Sequence, residues 1–107
     1  MITCFANDYG YENWVAKALE AYAKKGDVCI FISSSGMSRN IINACKVAKK
    51  LKLKIITFTG FDKNNYVKSL GDINIWVNSE KYNIIEMSHL YLLLMIIDKI
   101  ILDKKKK

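Results

Sequence analysis

Apolar and polar positions along this chain fall into blocks whose period changes, and the changes mark the elements. Ile2 to Ala6 is a short apolar run that meets the polar pair Asn7-Asp8, which predicts a strand. Tyr11 to Lys25 carries Trp14, Ala18, Leu19 and Tyr22 at helical spacing, with Gly26 as its stop. Asp27 to Ile32 is almost continuously apolar, the pattern of a strand buried on both faces. From Ser38 to Leu51 the period is helical again, with Ile42, Cys45, Val47, Ala48 and Leu51 on one side and Lys46, Lys49 and Lys50 on the other. Leu53 to Thr59 predicts the next strand, Gly60-Phe61-Asp62 a loop and Asn65 to Leu70 a short helix. Asp72 to Val77 predicts a further strand, and Asn83 to about Leu102 a long last helix.

Strands joined through helices by short loops imply an α/β fold with a parallel sheet and right-handed crossovers. The expected architecture is three-layer αβα with about four strands and four helices. Ligands in such sheets sit at the carboxyl ends of the strands, so Asn7-Asp8, the Ser33–Ser38 loop and Thr59-Gly60 are expected to face one crevice. The last helix is apolar nearly all round between Leu90 and Ile97. A helix on the surface of a monomer keeps a polar face, and a domain this small has little room to bury one, so a subunit interface is expected there. That run is too short to span a bilayer, and Asp98-Lys99 interrupts it.

The densest candidate chemistry is Ile32-Ser33-Ser34-Ser35-Gly36-Met37-Ser38, where a strand turns into a helix. A helix N-terminus has unpaired N–H groups and a partial positive charge, and hydroxyls add donors without charge. Together they suit a phosphate ester. One serine could simply cap the helix and Gly36 could simply turn the chain, but capping accounts for one serine and leaves three. Arg39 either lends charge to a bound phosphate or points to water. No Gly-Lys-Ser/Thr follows the loop, which excludes a P-loop, and no Gly-x-Ser-x-Gly occurs, which excludes a serine-hydrolase elbow.

Bulk composition narrows the classes. One hundred and seven residues, 51% hydrophobic and 25% charged, describe one globular domain. The net charge of +7 falls to +3 without the terminal run Lys104-Lys105-Lys106-Lys107. All basic residues but Arg39 are lysines, whereas a nucleic-acid reader more often groups Arg and aromatics on one face, so nucleic acid is disfavoured as a partner and the tail reads as solvated. Cys4, Cys29 and Cys45 form no C-x-x-C pair and read as small buried hydrophobes in a reducing cytoplasm. The start reaches Asn7-Asp8 too soon for a signal peptide.

Three segments resemble the sugar isomerase (SIS) domain, and within it the phosphoheptose isomerase branch. Ala6-Asn7-Asp8-Tyr9-Gly10-Tyr11-Glu12 is similar to the family's N-D-[FY]-G-[FY] stretch. Gly26-Asp27-Val28 leading to Ile32-Ser33-Ser34-Ser35-Gly36-Met37-Ser38 is similar to its G-D-V…I-S-[TS]-S-G-N-S, and Ile55 to Gly60 to its V-I-x-L-T-G. The resemblance implies a flavodoxin-like αβα fold, a homo-oligomer (dimer or tetramer) and isomerisation of sedoheptulose 7-phosphate to a heptose 7-phosphate for surface polysaccharide. By position it implies that Ser33, Ser34, Ser35 and Ser38 hold phosphate, that Asn7 and Asp8 meet the sugar, and that Glu86 belongs to the site. The family's N-terminal helical part, first strand, G-N-G-G-S loop, and the His and catalytic Glu after it have no counterpart in these residues. In the last helix the family reads I-Q-E-x-H with a functional His five residues on. Aligned through Ile85, Glu86 stands at the Gln, His89 at the first His and Leu94 at the functional one. Residues 1–103 therefore read as a single partial SIS domain and 104–107 as a lysine tail.

Aldose–ketose isomerisation needs a base near the substrate carbon and an acid or metal to polarise the carbonyl. The catalytic residues are unassigned, with Asp8 and Glu86 as weak candidates. Glu86 and His89 share a helix face, which suits either half a metal site or a helix-start acid beside a structural histidine. No ligand cluster predicts a cofactor, and a divalent metal such as zinc rests on the resemblance alone. The expected chain is a cytoplasmic, sugar-phosphate-binding homo-oligomer that is weak or inactive as an isomerase alone. Its rival is a non-catalytic module that acts through a protein partner.

Overall fold

A computed structural model describes residues 2–106. Its first element corrects the reading of the start: Ile2–Tyr9 is a helix, α1, not a strand. Phe5 and Tyr9 sit one helical turn apart with ring centroids at 6.3 Å. Gly10 N–H donates to Ala6 O at 2.9 Å, and the Asn13 side-chain amide donates to Tyr9 O at 3.0 Å. These bonds close the last turn, so a five-residue, mostly apolar run that fits either period becomes helical.

A 3-10 turn, Tyr11–Asn13, leads into α2, Trp14–Tyr22. The sheet then forms from β1 (Val28–Ile32), β2 (Lys54–Thr59) and β3 (Ile73–Trp76), with α3 (Arg39–Lys50) between the first two. All pairings are parallel, in the order β1-β2-β3, with Ile30 opposite Ile56 and Phe58 opposite Ile75. Only Lys68–Leu70 of the expected short helix is helical, as a 3-10 turn. The chain ends in α4, Tyr82–Lys105, which takes in two lysines of the terminal run; Lys107 lies outside the described residues. The fold is thus α/β with a three-stranded parallel sheet and four helices, one strand fewer than expected because residues 2–6 are helical.

The core lies on one face of the sheet. Cys29, Phe31 and Ile55 meet Ala44, Cys45 and Ala48 of α3, with Leu53 and Val67 closing the ends and Val15 and Leu19 of α2 alongside. Alanines at 44 and 48, both fully buried, let α3 approach the strands closely. Burial pushes the Cys45 thiol up to about 11, with Cys29 adding to the shift, and burial likewise raises Cys29. Cys4 departs from expectation: it is exposed on α1.

The opposite face is covered by α4 only at one end. There Phe58 and Ile85 are fully buried, and Phe58 meets His89 edge-on at 5.5 Å. Farther along, Val28, Ile30 and Ile32 are 57%, 47% and 45% exposed. Burial of β1 on both faces is therefore not observed; within the described residues it is an edge strand with one open apolar face.

Candidate functional site

The serine loop joins the carboxyl end of β1 to α3, and its hydroxyls divide the work. Ser33 is buried: its N–H donates to Phe58 O at 3.0 Å, and its Oγ accepts from Gly36 N–H and stands 3.1 Å from Ser38 Oγ. Ser35 Oγ accepts from Met37 N–H at 3.2 Å. Both turn the loop back on itself. Ser34 makes no side-chain hydrogen bond among the described residues and is half-buried.

Capping, the simpler account of the loop, fails at the residue best placed for it. Ser38 precedes α3 with extended backbone (φ −65°, ψ 120°), yet its side chain makes no capping bond. Ser38 carbonyl takes the Ile41 and Ile42 N–H groups, and Asn40 Oδ1 also accepts from Ile41 N–H at 2.9 Å. The N–H groups of Arg39 and Asn40, with those of Ser34 and Ser35, have no partner among the described residues. Two hydroxyls and unpartnered N–H groups at the positive end of a twelve-residue helix are donors of the kind a phosphate dianion accepts from. Arg39 is exposed at its rim.

The loop leans on a residue that sequence reasoning did not single out. Asn65 is 2% exposed; its amide donates to Thr59 Oγ1 (3.0 Å), Asp62 O (2.9 Å) and Gly60 O (3.3 Å), and its Oδ1 accepts from Lys68 N–H (2.8 Å). The Asn64-Asn65 pair just after Thr59-Gly60 is a turn signal that could have pointed to it.

The other candidates are not brought to the loop by any hydrogen bond. Asn7 and Asp8 are exposed on α1, which packs on α2 and the 3-10 turn, and Asp8 Oδ2 lies 3.9 Å from Cys4 Sγ. Their expected placement after a strand is corrected by the helix they occupy. Glu86 is exposed, whereas His89 is 2% exposed. Its Nε2 lies 3.0 Å from Thr59 O, so this nitrogen carries the proton, and Nδ1 is buried without a partner. His89 thus faces the end of β2 while Glu86 faces out. The described residues contain no group of three His, Cys, Asp or Glu side chains placed to hold a metal ion. A zinc-type site does not fit them.

The SIS domain family model matches residues 1–60. The phosphoheptose isomerase of Aliarcobacter butzleri is 44% identical over 89 residues, covering 83% of this chain and 47% of the relative. That of Histophilus somni is 35% identical over 101 residues, covering 91% and 51%. The solved phosphoheptose isomerase of Neisseria gonorrhoeae superposes with a TM-score of 0.87 at 30% identity, over 92% of this chain and 56% of that one. The Francisella tularensis enzyme gives 0.84 at 29% identity, over 91% and 52%. The chain spans about half the length of these relatives. The strand–serine-loop–helix unit and these matches agree: the chain belongs to the SIS domain family, in its phosphoheptose isomerase branch.

Proposed function

We propose that this chain binds the phosphate of a sugar phosphate in the Ser33–Ser38 loop. The observation that carries the reading is the Ser38 hydroxyl, left free of capping beside the unpartnered N–H groups of Arg39 and Asn40. Ser34 and Ser38 donate to the phosphate, Ser35 lines it, and Ser33 holds the loop's shape. Asn7, Asp8 and Glu86 remain the proposed sugar contacts, by position in the family. The relatives' names point to a heptose phosphate, and the resemblance to the family adds sedoheptulose 7-phosphate as the proposed ketose.

Isomerisation by this chain alone is proposed to be weak or absent. Its one histidine is engaged at Thr59 O behind buried Ile85, and Leu94 stands where the family's functional histidine would be. The chain is further proposed to be cytoplasmic and to self-associate through α4. Leu90, Tyr91, Leu94, Met95, Ile96 and Ile97 are all exposed there, and a groove of about 440 Å³ against Ile75 is lined by the same helix. No helix among the described residues is long and apolar enough to cross a membrane. That same exposed apolar helix favours the second reading, a non-catalytic module docking a protein partner.

Thermal melts with sedoheptulose 7-phosphate and with inorganic phosphate test the binding. At ten times Kd the sugar phosphate is expected to raise the midpoint by about 5 °C or more, and phosphate by less. A melt indifferent to both contradicts the reading. Turnover of sedoheptulose 7-phosphate that disappears in Ser35→Ala contradicts the proposed inactivity.

A further inference from the structure

Gly36 is the tightest point of the serine loop. Its φ is +69°, and a Cβ built on it would run into the Asn65 side chain. Its N–H is held by Ser33 and its carbonyl by Val67 N–H at 2.9 Å, and the Asn65 side chain fills the space where its Cβ would be. Asn65 is in turn fixed by four polar partners drawn from the end of β2, the loop after it and the turn at Lys68. Two loops from neighbouring strands therefore meet at one buried contact. The curvature at Gly36 decides where the N–H groups of Ser34 and Ser35 point relative to those of Arg39 and Asn40.

We infer that Asn65 is a positioning residue for anion binding: braced against Gly36, it sets the spacing between the serine loop and the start of α3, and so the affinity for a phosphate monoester. The inference rests on the phosphate reading of the loop. Its physical basis is preorganisation. A loop held in its binding shape loses less freedom when the ligand arrives, and a loop released from its brace loses more. A fully bonded, buried amide is a stiff brace, because each donor it loses leaves a buried acceptor unpaired.

The test uses the 107-residue chain with inorganic phosphate and sedoheptulose 7-phosphate as probes, in calorimetric titrations. Asn65→Ala is expected to raise both dissociation constants by about tenfold or more, as expected when a preorganised loop is released. Leu53→Ala, at the far end of β2, is the matched control for lost stability and is expected to change them by less than about twofold, since distant sites are independent. Gly36→Ala is expected to weaken binding in the wild-type background and to cost less in Asn65→Gly, where the clash with the Asn65 side chain is gone and only the strain of a Cβ at φ +69° remains. A ligand-free readout runs beside these: exchange of the Val67 amide, held by Gly36 O, should quicken about tenfold in Asn65→Ala while that of the Ile55 amide, held by Asp72, does not. Wild-type affinity in Asn65→Ala, equal losses in Leu53→Ala, or additive Gly36 and Asn65 effects each overturn the positioning role alone. A wild-type chain silent to both probes overturns the phosphate reading, and this role with it.

Discussion

Ser33 Oγ and Ser38 Oγ lie 3.1 Å apart, across the mouth of the loop that joins β1 to α3. Ser33 also accepts from Gly36 N–H and is buried, whereas Ser38 is half-buried and caps nothing. One partner of the pair is architecture and the other is available to a ligand. Ser33→Ala should therefore lower stability by about 1–3 kcal/mol, the cost of unpairing buried polar groups. Ser38→Ala should leave stability within about 1 kcal/mol, the typical net worth of one part-buried hydrogen bond, and weaken sugar-phosphate binding about tenfold. Chemical denaturation and ligand titration of the two variants check the division; equal effects on both properties would refute it.

Gly60 and Ile85 fix α4 to the end of β2. A Cβ on Gly60 would lie 2.5 Å from Ile85 Cδ1 and 2.7 Å from Cγ1. Gly60→Ala should cost about 1–3 kcal/mol through overpacking. Ile85→Val, which trims the contacting end of the side chain, should make the added methyl less costly. A double-mutant cycle by denaturation reads the coupling, and a zero coupling energy would show that α4 does not dock there.

Cys45 carries a prediction about alkaline pH. Its folded thiol titrates near 11, above the ordinary 9.0, because burial disfavours the thiolate. With the folded pKa raised, the folded state holds its proton more tightly than the unfolded state. The stability this represents is intact below pH 9 and is lost as pH rises toward 11. Denaturation midpoints from pH 8 to 11 should fall, and Cys45→Ala should fall less steeply, by up to about 2 kcal/mol over that range. Parallel curves for the two proteins would contradict the assignment.

The open apolar face makes association measurable. Leu94 and Ile97 are each 51% exposed on a helix whose apolar residues run all round. Sedimentation at micromolar concentration should show a mass above that of the 12.3 kDa chain. Leu94→Lys with Ile97→Lys should shift it toward one chain without lowering helix content. An unmodified chain that stays monomeric would count against the interface.

Much of this fold is legible in the sequence, and the failures have identifiable causes. The helical period over residues 39–50 places α3 correctly because its Ala44, Cys45 and Ala48 stripe is narrow and its opposite side is lysine-rich. The run Ile2 to Ala6 misleads because four apolar residues in five positions fit either period, and the bonds that close the last turn come from Gly10 and Asn13, beyond the run. Val28 to Ile32 misleads differently. Its composition suits a strand covered on both sides, and the described residues cover one. The loop Ser33 to Ser38 is visible as a cluster of hydroxyls, but which serine is structural depends on Ser33 facing Phe58 and Gly36. Asn65 is invisible as a site residue because its role lies in a contact across 29 positions of chain with a glycine that has no side chain to mark it.

The most direct test of the central claim is an amide-resolved NMR titration of the isotope-labelled chain with sedoheptulose 7-phosphate. Saturable shifts concentrated at the N–H groups of Ser34, Ser35, Arg39 and Asn40, reaching saturation only at about tenfold higher ligand in Ser38→Ala, are the predicted result. Shifts that are absent, or that spread over the exposed lysines without saturating, would contradict a phosphate site in the serine loop.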